Sequence, residues 1–188
     1  MLTTSRHDWA DRARRLREHA MSVSAAERHG SVLPLAETYD EVGFNFRMTD
    51  LQAAVGLVQL QRLTGMVDRR RELAARYGAA IADIPGLRAV ADPPHGTCNF
   101  QSYWVEVTEP YPLDREGLLA ALAEADISAR RGIMAAHRQP PYRGQVGAGS
   151  LPVTERLTDQ TLILPLYHEL SERDQGRVIS TLARQGAQ

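Results

Sequence analysis

The chain is 188 residues long, 43% apolar and 24% charged, a globular composition with room for one core of ordinary size. Its formal net charge of −1 provides no long-range field, so nucleic acid and membrane surfaces are not favoured as partners. All 22 residues counted as Lys+Arg are Arg; guanidinium keeps its proton, so no side-chain amine here can form a Schiff base with a carbonyl cofactor or substrate.

Residues Met1 to Ser5 read as a short strand, followed by an Arg-rich helix from Asp8 to Ala20 with Trp9, Ala13 and Leu16 on one face. Residues Met21 to Phe46 hold Gly, Ser, Pro and Tyr without clean period and read as a long excursion. Thr49 and Gln52 then form a capping box, opening a helix whose stripe runs through Leu51, Val55, Val58 and Arg62. The small residues Ala53, Ala54 and Gly56 on that helix would admit another backbone. A second helix is expected from Met66 to Ile84, with Arg69, Arg70, Arg71 and Glu72 on wet positions, ending at Pro85-Gly86.

The period then changes. Leu87 to Ala91 and Phe100 to Val107 read as strands, the second alternating Tyr103, Val105 and Val107 with Ser102, Trp104 and Glu106, as a strand covered on both faces does. Asp114 caps a helix reaching Ala125, Ile127 to Arg131 is a third short strand, and Gly132 to Val153 is irregular. A short apolar run from Asp159 to Leu166 is stopped by Pro165, and Ser171 with Asp174 opens a final helix to about Arg184. Helices first, then strands alternating with helices, predict an α+β fold.

Other chemistries find little support. Arg12, Arg14, Arg15 and Arg17 share their helix with Asp8, Asp11 and Glu18, the pattern of a solvated face rather than a nucleic-acid contact. The six histidines never fall three or four apart, and Cys98 is the sole cysteine, so neither a zinc site nor a disulfide framework is expected. There is no Gly-rich phosphate loop and no G-x-S-x-G elbow. A single thiol, no export pattern and no apolar stretch near the roughly 20 residues of a membrane span make a cytoplasmic location the expectation.

The segment Gly43-Phe44-Asn45-Phe46-Arg47-Met48-Thr49-Asp50-Leu51-Gln52-Ala53-Ala54 resembles a signature of the DegT/DnrJ/StrS-type sugar aminotransferases. Three later stretches agree in order and spacing: Gln101-Ser102-Tyr103-Trp104, the run from Gly132 through His137 to Tyr142, and Leu151-Pro152-Val153-Thr154-Glu155 leading to Leu162-Ile163-Leu164-Pro165-Leu166. Together they cover nearly the whole chain. The resemblance implies a pyridoxal 5′-phosphate enzyme that moves an amino group from Glu or Gln onto a keto sugar linked to a nucleotide, or onto a cyclitol, in polysaccharide or antibiotic biosynthesis.

In that family the Schiff-base lysine, the aspartate under the pyridinium nitrogen and most phosphate contacts lie ahead of the part resembled here. Met1-Leu2-Thr3-Thr4 resembles the strand just after the lysine segment. The resemblance therefore implies a C-terminal portion of a fold-type I aminotransferase: 1–48 the end of the large domain and an interface loop, 49–84 connecting helices, 85–188 the small C-terminal domain. Such a portion is expected to be inactive alone and to belong to a homodimer. Two rivals keep the fold: a non-catalytic small-domain partner of a complete paralogue, or a portion of a family dehydratase in which His replaces the lysine.

Carried over by position, Asn45 would cross the dimer interface to bond the phosphate of the neighbouring subunit's cofactor, an amide donating without adding charge. Arg47 beside it could fork onto phosphate or a substrate carboxylate, or pair an acid at the helix start. His137 resembles a position facing the sugar; the flanking motif carries that reading, since a lone imidazole would be taken for surface. Tyr103 and Trp104 are expected in the sheet core and Tyr142 in packing. No catalytic residue and no metal ligand is assigned.

Overall fold

The computed structural model describes residues 2–23, 38–142 and 151–187. The described residues form five α-helices, two 3-10 turns and four strands, and the chain divides into two compact units, Met1–Gln61 and Arg62–Gln188.

In the first unit, helix α1 (His7–Leu16) is followed by two residues in the left-handed region, His19 (φ 64°) and Ala20 (φ 58°), which reverse the chain. The returning segment pairs with the helix end: Phe44 N donates to Leu16 O (2.7 Å), His19 N to Phe44 O (2.9 Å) and Phe46 N to Arg17 O (2.9 Å). Gly43 is required there, because a Cβ would collide with the backbone of His19 and Ala20. Arg12 and Arg15 both grip Glu41, at 2.7 and 2.8 Å, while Arg6 pairs with Asp8 and Arg14 with Asp11. The basic helix thus neutralises its own charge locally.

The structure corrects several expected elements. Residues 2–5 form no strand, since none of the described residues gives them a ladder partner. Residues 24–37 of the expected excursion and 143–150 of the later irregular stretch lie outside the described residues. The two helices expected after Thr49 are one, α2 (Asp50–Ala82), because nothing between Leu63 and Val67 breaks the hydrogen-bond ladder; Gly65 costs helix propensity but does not stop it. Its capping box forms as read, Gln52 N to Thr49 Oγ1 at 3.2 Å and Thr49 N to Gln52 Oε1 at 2.9 Å.

In the second unit, strands β1 (Leu87–Ala89), β2 (Tyr103–Val107), β3 (Arg130–Arg131) and β4 (Thr161–Leu164) form an antiparallel sheet in the order β1-β2-β4-β3. Gly86 makes the turn into β1 at φ 81°, where a Cβ would strike Tyr111 and the Thr108 carbonyl. Helices α3 (Arg115–Glu124) and α5 (Glu172–Gly186) start at Asp114 and Ser171, each side chain accepting from a first-turn amide, at 2.8 and 3.0 Å. Helix α4 (Pro152–Gln160) was not foreseen; its Pro sits in the first turn, where the missing N–H costs nothing.

The core joins Tyr103, Val105, Leu162 and Leu164 of the sheet to Leu118 and Leu122 of α3, Val178 and Leu182 of α5, and Leu73, Tyr77 and Ile81 of α2. The Tyr77 and Tyr103 rings lie 5.0 Å apart, and Tyr77 Oη donates to Pro165 O at 3.0 Å. Glu106, 4% exposed on β2, is held by Arg88 from β1 at 2.5 Å and by Arg156 from α4. Arg69, Arg70 and Arg71 are not simply wet as expected: half-buried, they donate to the carbonyls of Leu170 (3.3 Å), Phe100 (3.0 Å) and Cys98 (3.0 Å). Truncating Leu122, fully buried between α3 and the sheet, to Ala is expected to lower stability by about 2–5 kcal/mol. Urea unfolding of Leu122→Ala checks this, and a loss below about 1 kcal/mol would mean the α3 contact is not formed in solution.

Candidate functional site

The expected site residues fall in two places. Asn45 sits on the returning segment of the first unit, bridged to Glu18 at the end of α1, and its Oδ1 accepts from Arg47 Nε at 3.3 Å. This bond occupies the amide oxygen and leaves Nδ2, with two donors, available to an anion. Phe44 and Phe46 stack beside it, centroids 5.1 Å apart, and both are exposed, as are Val42 and Met48. Alternation along an extended segment puts Asn45 and Arg47 on one side and the two Phe on the other. The same exposed apolar character continues along the first turns of α2 at Leu51, Val55, Leu57 and Val58.

His137 lies in the second unit, in a 3-10 turn (Ala136–Arg138) that packs against α4. Its Nε2 donates to Glu155 Oε1 at 2.9 Å, and its side chain is 16% exposed. An ionised carboxylate only accepts, so the contact puts the proton on Nε2 and leaves Nδ1 for another partner. Arg138 forks onto Asp159, at 2.7 and 3.1 Å, and reaches Glu155 at 3.5 Å. The hydrogen bond from His137, with help from Arg138 and against partial desolvation, holds the Glu155 carboxyl below its ordinary range. Arg138 likewise holds Asp159 down.

Glu155 was not singled out from sequence, although it closes a stretch that carries the family resemblance; its link to His137 spans 18 residues and needs the fold to be seen. Tyr103 is buried as expected and Trp104 partly so, but Tyr142 is 51% exposed in the second 3-10 turn (Pro140–Tyr142) rather than packed. Among the described residues no cluster of His, Cys, Asp and Glu could hold a metal ion, and no helix is long and apolar enough to cross a membrane.

The fold, a four-stranded antiparallel sheet covered by helices and approached through one long helix, is that of the corresponding part of sugar aminotransferases. It superposes with a TM-score of 0.81 on the aminotransferase TlmJ from Streptoalloteichus hindustanus, at 29% identity over 97% of this chain and 46% of that one. It matches DesI, crystallised in the presence of its TDP-sugar product, equally well, with a TM-score of 0.81 and 29% identity over 99% of this chain and 45% of that one. Residues 1–183 match the DegT/DnrJ/EryC1/StrS aminotransferase family, and the chain belongs to that family. It is 34% identical over 186 residues to the spore coat polysaccharide biosynthesis protein SpsC of Bacillus subtilis, covering 97% of this chain and 48% of that protein. The chain thus spans about half the length of the relatives it matches.

These aminotransferases depend on pyridoxal phosphate, and the residues here fit that group in part. A free amide donor at Asn45 beside the Arg47 guanidinium suits a phosphate; with every cation an Arg, no side chain suits covalent attachment.

Because the Glu155 carboxyl is depressed in the fold, it stabilises the protein above its unfolded value and that stabilisation is lost as pH falls through the folded value. Glu155→Gln is therefore expected to be less stable than wild type near neutrality, with the gap narrowing as pH drops below the ordinary carboxylate value of 4.5. Urea midpoints measured across that range check it; a gap that stays constant into acid would mean the His137 contact is absent in solution.

Proposed function

We infer that this chain acts as the C-terminal portion of a pyridoxal-phosphate-dependent sugar aminotransferase, serving a reaction that moves an amino group from Glu or Gln to a keto sugar linked to a nucleotide, or to a cyclitol. The observation that carries this is the family match over residues 1–183 of a chain without lysine. The cofactor, when bound, supplies the electron sink for amino transfer. This chain's residues bind and orient: Asn45 donates to the phosphate held by a neighbouring subunit, Arg47 adds charge beside it, and His137, fixed by Glu155, presents Nδ1 to the sugar. The boundaries that go with this reading are 1–48 for the end of the large domain, 49–84 for the connection and 85–188 for the small domain.

A homodimeric assembly is supported by the exposed apolar run from Val42 to Leu63, including Phe46 at 73% and Leu51 at 82%. Contiguous apolar surface of that kind marks an interaction face. The names of the relatives, a spore coat polysaccharide biosynthesis protein and DesI with its TDP-sugar product, support a nucleotide-linked sugar as substrate and a role in polysaccharide or antibiotic biosynthesis.

Two measurements test the reading. The purified chain, mixed with pyridoxal phosphate and reduced with borohydride, is expected to show no cofactor mass on any internal residue; such a mass would overturn the assignment of the attachment site to other residues. When this chain is joined to the lysine-bearing portion of a family enzyme, Asn45→Ala is expected to weaken cofactor retention by about ten- to a hundred-fold, the loss of one hydrogen bond to a charged group of about 1.5–3 kcal/mol. Mixing that variant with a subunit lacking the lysine but keeping Asn45 restores one normal site per heterodimer if the residue acts across the interface. Retention no better than in the Asn45→Ala homodimer would show that it does not.

A further inference from the structure

A cleft of about 240 Å³ opens on the sheet of the second unit, with Gln101, Ser102, Ser128 and Arg130 as its polar lining and the apolar run 163–166 beside them. Among the described residues no carboxylate lines it. Among the described residues the Arg130 side chain makes no hydrogen bond or ion pair, its backbone pairing with Ile163, whereas its strand neighbour Arg131 is gripped by both oxygens of Glu116, at 2.9 and 2.5 Å. Most other arginines described are likewise spoken for: Arg88 and Arg156 on Glu106, Arg138 on Asp159, Arg115 on the Thr158 carbonyl. Arg130 lies directly opposite Ile163 in the β3–β4 register and so shares its sheet face, and a guanidinium left unpaired beside a concave, partly apolar cleft has its fork open to a ligand.

The wall of the cleft is set in advance. Phe100 adopts φ 48°, a conformation that a bulky residue rarely takes, and its buried ring is anchored 6.1 Å from Tyr103. Arg70 clamps the same turn from α2, donating to Phe100 O at 3.0 Å and Gln101 O at 2.9 Å. Ser102 Oγ donates to Gln101 Oε1 at 2.6 Å, which fixes the amide with its Nε2 donors left over. The charge of the cleft is that of one guanidinium among neutral donors. That balances one negative charge in a planar two-oxygen head; a phosphate dianion would be left half-compensated.

We propose that this cleft binds the carboxylate of a small organic acid, with Arg130 as its forked partner, Gln101 and Ser128 as further donors, and residues 163–166 against its aliphatic body. On the functional reading above, the acid is the amino donor or the oxo acid it leaves; the binding itself does not depend on that reading.

The 188-residue chain, its fold checked by circular dichroism, is titrated calorimetrically with L-glutamate and, separately, with inorganic phosphate. Saturable glutamate binding is expected, weakened roughly ten-fold or more by Arg130→Gln and unchanged by Arg131→Gln, with phosphate binding more weakly than glutamate. Arg130→Lys, which keeps the charge and loses the fork, is expected to fall between wild type and Arg130→Gln. Absence of saturable glutamate binding, equal affinity in wild type and Arg130→Gln, equal losses in the Arg130 and Arg131 variants, tighter binding of phosphate, or no difference between Arg130→Lys and Arg130→Gln would each overturn the proposal. Intact glutamate binding alongside absent amino transfer in the joined enzyme would overturn the functional reading alone, and amino transfer untouched by Arg130→Gln with no glutamate binding would overturn the cleft alone.

Discussion

The guanidinium fork is the interaction on which this chain depends. A lysine offers a point charge on a flexible stem, whereas arginine offers five donors in a rigid plane and can bind carbonyls and carboxylates at once. Here Arg70, Arg71 and Arg69 tie α2 to three loop carbonyls, Arg115 ties α3 to the end of α4, and Arg177 ties α5 to the end of α3 through Ala125 O at 3.0 Å. These contacts fasten connections that carry few apolar side chains of their own. The same property closes off chemistry: a group that never loses its proton cannot serve as a nucleophilic amine.

Helix α2 is exposed and apolar in its first turns and buried in its later ones. Its later turns place Leu73, Ala74, Tyr77 and Ile81 in the core, where desolvation by burial raises the Tyr77 and Tyr103 phenols well above the usual range. Its first turns expose Leu51, Val55, Leu57 and Leu60 at more than half their surface. With only Asp50 and Arg62 charged over its first 15 residues or so, the helix opens on an exposed apolar face and ends in the core.

The two candidate site residues, Asn45 and His137, are positioned by different means. The Asn45 backbone is positioned by pairing on a segment that Gly43 allows to approach the end of α1, and its amide oxygen accepts from Arg47, which leaves Nδ2 to donate. His137 is positioned by its side chain, through Glu155, and the Arg138–Asp159 pair next to it fixes the turn on α4. Electrostatic positioning of this kind is sensitive to pH; backbone positioning is not.

Local signals in the sequence were enough for much of the fold. The capping box at Thr49, the Asp114 and Ser171 caps, the period-2 run of β2 and the apolar run holding β4 depend on residues within a few positions of one another; the caps form at those residues, β2 takes only Tyr103–Val107 of the run read from Phe100, and β4 falls inside the run from Asp159 to Leu166. The family was equally legible, since its motifs are contiguous, and the absence of lysine was plain from composition. What the tertiary structure decided is everything that depends on distant partners. Continuity of α2 through Gly65, the unformed strand at residues 2–5, the half-burial of Arg69 to Arg71, the clamp of Glu106 by two arginines, the His137–Glu155 bond and the unpaired state of Arg130 all turn on residues far apart in the chain. Propensity and spacing report on neighbours along the chain, whereas hydrogen-bond and charge partners are chosen by packing, so which arginine is paired and which is left open is settled only once the sheet and helices have closed.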